Sequence, residues 1–416
     1  MLAAYIHIPF CRRRCYYCDF PVSVVGDKNP ITGDRMNGSN SGTIARYVEF
    51  LCQEIRQQEP APTSRKPLNT IFFGGGTPSL LAIAQVHQVL QTLDKCFGIA
   101  ANAEISMEVD PGTFDQAQIS GYHAAGVNRV SVGVQAFQEN LLQAAGRSHT
   151  LEEIYSTIDD VHAAGFTNIS LDLISGLPHQ TLTDWQTSLE KAIALSPTHI
   201  SCYDLTVEPV TAFGRQYKPG IKPLPSDETT AEMYRTAHRV LTAAGYNHYE
   251  ISNYAKPGYQ CRHNRVYWEN RPFYGFGMGA TSHVAGDRVA RPRKTWDYYE
   301  WVGKVREKTE NRRQKIEKQS LLLPSYDLLL DTLMLGLRLQ EGLAIAPLVR
   351  QFGEAAIVRV WQRLQPYRKT GWVAVEPESA IEMTAIERIR LTNPEGFLFS
   401  NVVLTDLFEE FEEGEN

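Results

Sequence analysis

Cys11, Cys15 and Cys18 are separated by three and two residues and follow the apolar stretch Tyr5-Ile6-His7-Ile8-Pro9-Phe10. Three thiolates on one short loop can hold a cubane iron–sulfur cluster at three corners and leave its fourth iron without a protein ligand. An open iron is a place for a substrate or cofactor to bind. A closed four-ligand site mainly carries electrons or braces the fold. Structural zinc would want a fourth ligand, and only His7 is close in sequence, on a strand upstream. A disulfide would leave one of the three cysteines unpaired, in a chain with no mark of secretion. Cluster, zinc and a non-metal role all stand open here, with the spacing favouring the cluster.

The elements that position these thiolates show in the hydrophobic pattern. Residues 22–42 are rich in Gly, Asn, Asp, Pro and Ser and lack periodicity, which is loop composition. The spacing of Ile44, Tyr47, Val48, Leu51 and Ile55 predicts a helix over 43–58. A short apolar strand at 68–73 ends in Gly74-Gly75-Gly76-Thr77-Pro78 and is followed by a helix to about 96. Strands at 103–109, 129–134, 168–174 and 199–206 then alternate with helices at 115–125, 151–164, 182–195 and 226–244. Such alternation is the signature of a parallel sheet with right-handed crossovers. His123-Ala124-Ala125-Gly126 echoes His162-Ala163-Ala164-Gly165, and Thr242-Ala243-Ala244-Gly245 begins the same way. Each reads as a helix end, a glycine cap and a return to the sheet. At least six such units imply a closed or partly closed barrel, with reactive groups at the C-terminal ends of its strands.

Side chains alternate across a strand, so Ser106, Glu108 and Asp110 share one face, as do Ser170 and Asp172. The apolar faces must meet the helices, which turns Glu108, Gln135 and Asp172 into the barrel. Unpaired carboxylates there are costly, so either a polar ligand fills the lumen or the acids are satisfied among themselves. Gly74-Gly75-Gly76-Thr77-Pro78-Ser79 lacks both the Walker lysine and the dinucleotide spacing. Its three glycines let a ligand approach the backbone closely.

The 416 residues suffice for a large domain at 1–300 and a smaller helical one at 301–416. A net charge of −6 gives no electrostatic case for nucleic acid. No signal peptide and no membrane-spanning run is visible, and seven cysteines, an odd number, suit a reducing compartment, so the cytoplasm is expected. Residues 302–318 read as a mixed-charge connector. Helices from Tyr326 onward, with a strand pair near 372–375 and 389–391, hint at a winged-helix shape. The acidic tail at 409–413 argues against DNA and for a cap or partner-docking module.

Taken together, the Cys11-x3-Cys15-x2-Cys18 loop, the Gly-Gly-Gly-Thr-Pro turn and the inward polar residues resemble the radical S-adenosylmethionine proteins, more narrowly their coproporphyrinogen dehydrogenase group. Tyr5-Ile6-His7-Ile8-Pro9-Phe10-Cys11, Asp172-Leu173-Ile174-Ser175-Gly176-Leu177-Pro178 and His263-Asn264-Arg265-Val266-Tyr267-Trp268 resemble one branch, the HemW-type haem chaperones. That resemblance implies an α/β fold, a partial (β/α)6-type TIM barrel followed by a smaller helical, winged-helix-like domain. It implies that Cys11, Cys15 and Cys18 ligate a [4Fe–4S] cluster whose open iron chelates S-adenosylmethionine. Tyr5, Gly75, Gly76, Thr77, Glu108, Gln135, Arg147 and Asp172 would line the cofactor site. His263 would be a haem ligand, with Cys261 as its rival, although His-Asn beside aromatics reads on its own as a packing corner. Implied partners are haem, acceptor haemoproteins, a haem donor and an electron donor for the cluster, with room for peripheral membrane contact during delivery. The alternative is oxidative decarboxylation of coproporphyrinogen. Two departures speak against it: Phe20 stands where the dehydrogenase has a further cysteine, and Tyr5 lies almost at the start of the chain.

Overall fold

The computed structural model describes residues 2–29, 34–58, 66–284, 286–304, 326–380 and 382–412. The chain divides into two compact units. One is Met1–Met233 with Pro272–Glu317; the other is Tyr234–Arg271 with Lys318–Asn416, so it draws on both sides of residue 300.

The first unit opens with β1 (Leu2–Ile8) and two short strands, β2 (Phe10–Cys11) and β3 (Ser23–Val24). Helix α1 (Gly42–Gln57) leads to β4 (Leu68–Gly75), α2 (Ile83–Phe97), β5 (Ile99–Val109) and α3 (Gln116–Ala124). The series continues through β6 (Arg129–Gln135), α4 (Glu139–Ala144), α5 (Leu151–Ala163), β7 (Ile169–Ser175), α6 (Leu182–Ala194) and β8 (His199–Asp204). Strands β1, β4, β5, β6, β7 and β8 are parallel neighbours in that order, which makes the expected partial barrel. Beyond β1 the sheet extends through Phe273–Phe276, parallel, then Thr281–Val284 and Asp287–Ala290, antiparallel. These strands have four residues each, too short for a periodic pattern to mark them in the sequence.

β6 is buried along its whole length, as a parallel strand covered on both faces should be. The repeated Ala-Ala-Gly motif works as expected. Gly126 and Gly165 follow α3 and α5 with φ of 109° and 91° and turn the chain back into β6 and β7. After α3, Val127 N–H donates to Tyr122 O and Gly126 N–H to His123 O, both at 3.0 Å. Reciprocal side-chain caps start α5 (Thr150 with Glu153) and α6 (Thr181 with Asp184).

The 22–42 stretch is not wholly irregular. β3 lies parallel to β2, with Phe10 opposite Ser23 and Cys11 opposite Val24. Backbone bonds from Ser23 N–H to Pro9 O (2.6 Å) and from Val25 N–H to Cys11 O (2.9 Å) tie it to the cysteine loop. Isolated two-residue strands carry too little periodicity to be read from sequence.

The second unit has its own core, with Leu329, Leu333, Ile357, Leu364, Leu391 and Leu407 among its buried members. Strands Val373–Glu376 and Arg388–Leu391 form the expected antiparallel pair, and Leu343–Ala344 adds a third strand. Helix Arg262–Trp268 carries the His-Asn-x2-Tyr-Trp motif. Of the expected 302–318 connector, residues 305–318 lie outside the described residues.

Candidate functional site

The C-terminal ends of the parallel strands surround a cavity of about 400 Å³ in the first unit. Cys11, Cys15 and Cys18 line it, together with Gly75, Gly76, Thr77, Glu108, Gln135, Arg147 and Asp172. Tyr5 is not among the lining residues: its hydroxyl lies 3.0 Å from His7 Nδ1 and its ring packs on Phe72. Asp110, Ser131, Tyr203 and Asp204 also line the cavity, though the sequence reading gave them no role. The alternation of Ser106, Glu108 and Asp110 had put Asp110 on the right face.

The glycine turn after β4 is fitted to the cysteine loop. Gly76 N–H donates to Ile8 O at 2.8 Å and Thr77 N–H to Phe10 O at 2.7 Å. A side chain at Gly76 would meet Phe10 O at 2.7 Å, Ile8 O at 2.9 Å and Cys11 Sγ at 3.0 Å, so glycine is needed for close approach. A Cβ at Gly133 would likewise crowd Asp110 Oδ1 at 2.8 Å and Gln135 Nε2 at 3.0 Å. Gln135 ends β6 with φ of 67°, a left-handed backbone that a non-glycine residue holds at some cost at the rim of the cavity.

Arg147 joins the acids to the thiolates. It pairs with Asp110, donates to Gly133 O at 3.1 Å, and approaches Cys15 Sγ at 3.4 Å. Burial works against its charge, but Asp110 above all keeps the guanidinium protonated. Its Nε is buried without a hydrogen-bond partner. Asp172 accepts from Ser131 Oγ at 2.9 and 3.0 Å, and Glu108 accepts from Gly75 N–H at 3.0 Å. Burial pushes the Glu108 carboxyl up to about 8, helped by Asp172, while its bond from Gly75 pulls the other way. Asp172 is also raised by burial, against the hydroxyls of Ser201 and Ser131. Burial raises Asp204 to about 6. The floor is therefore acidic and under-neutralised, a surface that favours a ligand carrying positive charge and hydroxyls.

This donor set fits the cofactors that the resemblance implies. Glycine backbone allows close contact, Arg147 offers an unused donor, and Glu108 and Asp172 offer acceptors. Among the described residues no three His, Cys, Asp or Glu side chains converge on one point, as a single metal ion would require. A cubane spreads its thiolates over three irons instead.

His263 belongs to the second unit. It is buried on helix Arg262–Trp268, with Nε2 2.8 Å from Tyr267 Oη and the two rings edge to face. Trp268 lies under the Arg338 guanidinium, 5.6 Å from the ring centroid. Cys261 caps the same helix, its Sγ accepting from Asn264 N–H at 3.5 Å, and is buried.

The sequence profile of the Radical SAM superfamily matches residues 5–192. The chain is 45% identical to the heme chaperone HemW of Synechocystis sp., over 99% of this chain and 97% of that protein. It is 39% identical to the heme chaperone HemW of Escherichia coli, over 71% and 74% of the two chains. A mitochondrial radical S-adenosyl methionine domain-containing protein 1 from Danio rerio is 32% identical, over 82% and 73%. The solved structure of coproporphyrinogen III oxidase (HemN) from Escherichia coli shares the fold, with a TM-score of 0.76 at 24% identity, covering 98% of this chain and 89% of that one. Among the described residues no helix is long and apolar enough to cross a membrane. Near-complete coverage at such identity makes the chain a member of the HemW family within the radical S-adenosylmethionine proteins.

Proposed function

We propose that this protein binds haem and delivers it to acceptor haemoproteins, on a scaffold that holds a [4Fe–4S] cluster and S-adenosylmethionine. The observation that carries this reading is the 45% identity to a heme chaperone along essentially the whole of both chains. The similarity to the oxidase structure, at 24% identity, supports the shared fold alone. Phe20, in place of a further cysteine, also weighs against propionate decarboxylation.

In this reading Cys11, Cys15 and Cys18 hold the cluster. Gly75, Gly76, Thr77, Glu108, Gln135, Arg147 and Asp172 hold S-adenosylmethionine, with Tyr5 beside Gly74 and Glu108 on the same inward face. When bound, cluster and cofactor together supply one-electron chemistry that protein side chains cannot. The chain's own residues bind and orient. Arg147 stays charged beside Asp110 and presents a cation to a carboxylate. Glu108 holds a proton at neutral pH in the ligand-free chain and gives it up when a cation settles beside it. His263 is the proposed haem ligand, and the iron must compete with Tyr267 Oη for Nε2. Acceptor haemoproteins, a haem donor and an electron donor complete the proposed partners, with the cytoplasm as the place of action.

The test starts from chain reconstituted anaerobically with iron and sulfide. Haem is titrated by absorbance, then transfer to an apo-haemoprotein is followed, with coproporphyrinogen conversion measured in parallel by mass spectrometry. Stoichiometric haem binding and transfer without decarboxylated product are expected. Product formed at sustained turnover would overturn the reading in favour of the dehydrogenase.

A further inference from the structure

All three residues between Cys11 and Cys15 are arginine. Surface arginines in a loop usually fray into solvent, and isolated exposed pairs contribute little. Here each has specific partners. Arg12 Nη1 donates to Gly112 O at 2.9 Å, in the turn after β5, while its other nitrogens reach Met36 O at 3.3 and 3.4 Å. Arg13 is forked onto Asp27 Oδ2 at 2.6 and 3.0 Å. Arg14 folds back over its own loop, with Nε to Cys18 O at 3.2 Å and Nη2 to Phe20 O at 2.9 Å.

We infer that Arg12 and Arg14 are positioning residues for the cluster: they hold the Cys11–Cys18 loop in its ligating shape independently of any metal. The inference rests on the cluster reading given above. Arg12 fastens the first half of the loop to the barrel, and Arg14 closes the second half around the last two cysteines. Within that second half the backbone itself contributes a turn, Cys18 N–H to Cys15 O at 3.2 Å, and Tyr16 N–H bonds to Ala145 O at 3.1 Å. Fixing a residue's backbone costs conformational entropy, so a loop already held by its arginines leaves less of that cost to metal binding. Arginine suits the task because its planar fork reaches two carbonyls at once. Arg14 also places a permanent positive charge beside the loop, which favours the more negative, reduced cluster.

The two effects can be separated in the full-length chain, reconstituted anaerobically. Arg14→Lys keeps the charge but reaches one carbonyl at a time; Arg14→Gln keeps some hydrogen bonding and loses the charge; Arg12→Gln loosens the other half. The readouts are the rate of iron loss to excess chelator and the midpoint potential of the cluster. Iron loss is expected to quicken roughly tenfold in Arg14→Gln and Arg12→Gln and less in Arg14→Lys, with a lowered potential in Arg14→Gln alone of the two Arg14 variants. Melting of each ligand-free variant shows that the barrel is intact. Variants that melt like the parent, lose iron at its rate and keep its potential would overturn the inference. A parent chain that takes up no four-iron cluster would instead refute the cluster reading itself.

Discussion

Glu108 is where residue chemistry and stability meet. Its carboxyl moves from the ordinary 4.5 to about 8 on folding, with burial the main cause and Asp172 adding to it. Between those values the folded chain binds more protons than the unfolded one, so stability falls as pH rises through the window. Asp172, shifted the same way, steepens the fall. Glu108→Gln should flatten the dependence of melting temperature on pH and stabilise ligand-free protein near pH 8, while weakening S-adenosylmethionine binding. Thermal melts across that range, paired with cofactor titration, check both halves. His263 yields a second prediction. Tyr267→Phe removes the hydroxyl that occupies Nε2 and should tighten haem binding roughly two- to tenfold, whereas His263→Ala should abolish it. Absorbance titration decides, and unchanged affinity in both variants would remove His263 as the ligand. Glu108 and Asp172 were legible because strand alternation fixes their face, whereas Gln135 reaches the cavity from a left-handed backbone at a register shift. The bonds of Asp110 to Arg147 and Thr77 were not, because they join residues far apart in sequence.

At the scale of elements, the cysteine loop depends on how β1 is anchored. Tyr47 on α1 donates to His7 O at 2.7 Å and accepts from Met278 N–H at 3.0 Å. Two turns further along α1, the fully buried Glu54 accepts from Arg291 Nε, Gly277 N–H and Tyr298 Oη, each at 2.8 Å. Replacing Arg291 with methionine would leave that carboxylate buried without its cation. A loss of about 3–5 kcal/mol is expected in denaturant unfolding. A loss below ~1 kcal/mol would contradict that role for the pair. Helices and parallel strands were readable because each has a periodic apolar pattern and a start or stop signal, as at Thr150 or Gly165. The β2–β3 pair and the three strands after residue 272 were not readable. Their short runs gain stability from neighbours in space, which a local pattern does not record.

For the molecule as a whole, the barrel was legible from the alternation of strands and helices. The second unit was legible only in part. Its hairpin showed as two apolar runs, but residues 234–271 gave no local sign that they pack with the C-terminal segment. Haem acceptors leave no mark in a single chain, because the complementary surface lies on the partner. The proposed cofactor binding rests on Cys11, Cys15 and Cys18. The most direct measurement is the electron paramagnetic resonance spectrum of anaerobically reconstituted, reduced protein with and without S-adenosylmethionine. One four-iron cluster per chain is predicted, with a signal that shifts on adding the cofactor and disappears in Cys15→Ser. Uptake of a single zinc ion, or a cluster signal indifferent to S-adenosylmethionine, would contradict it.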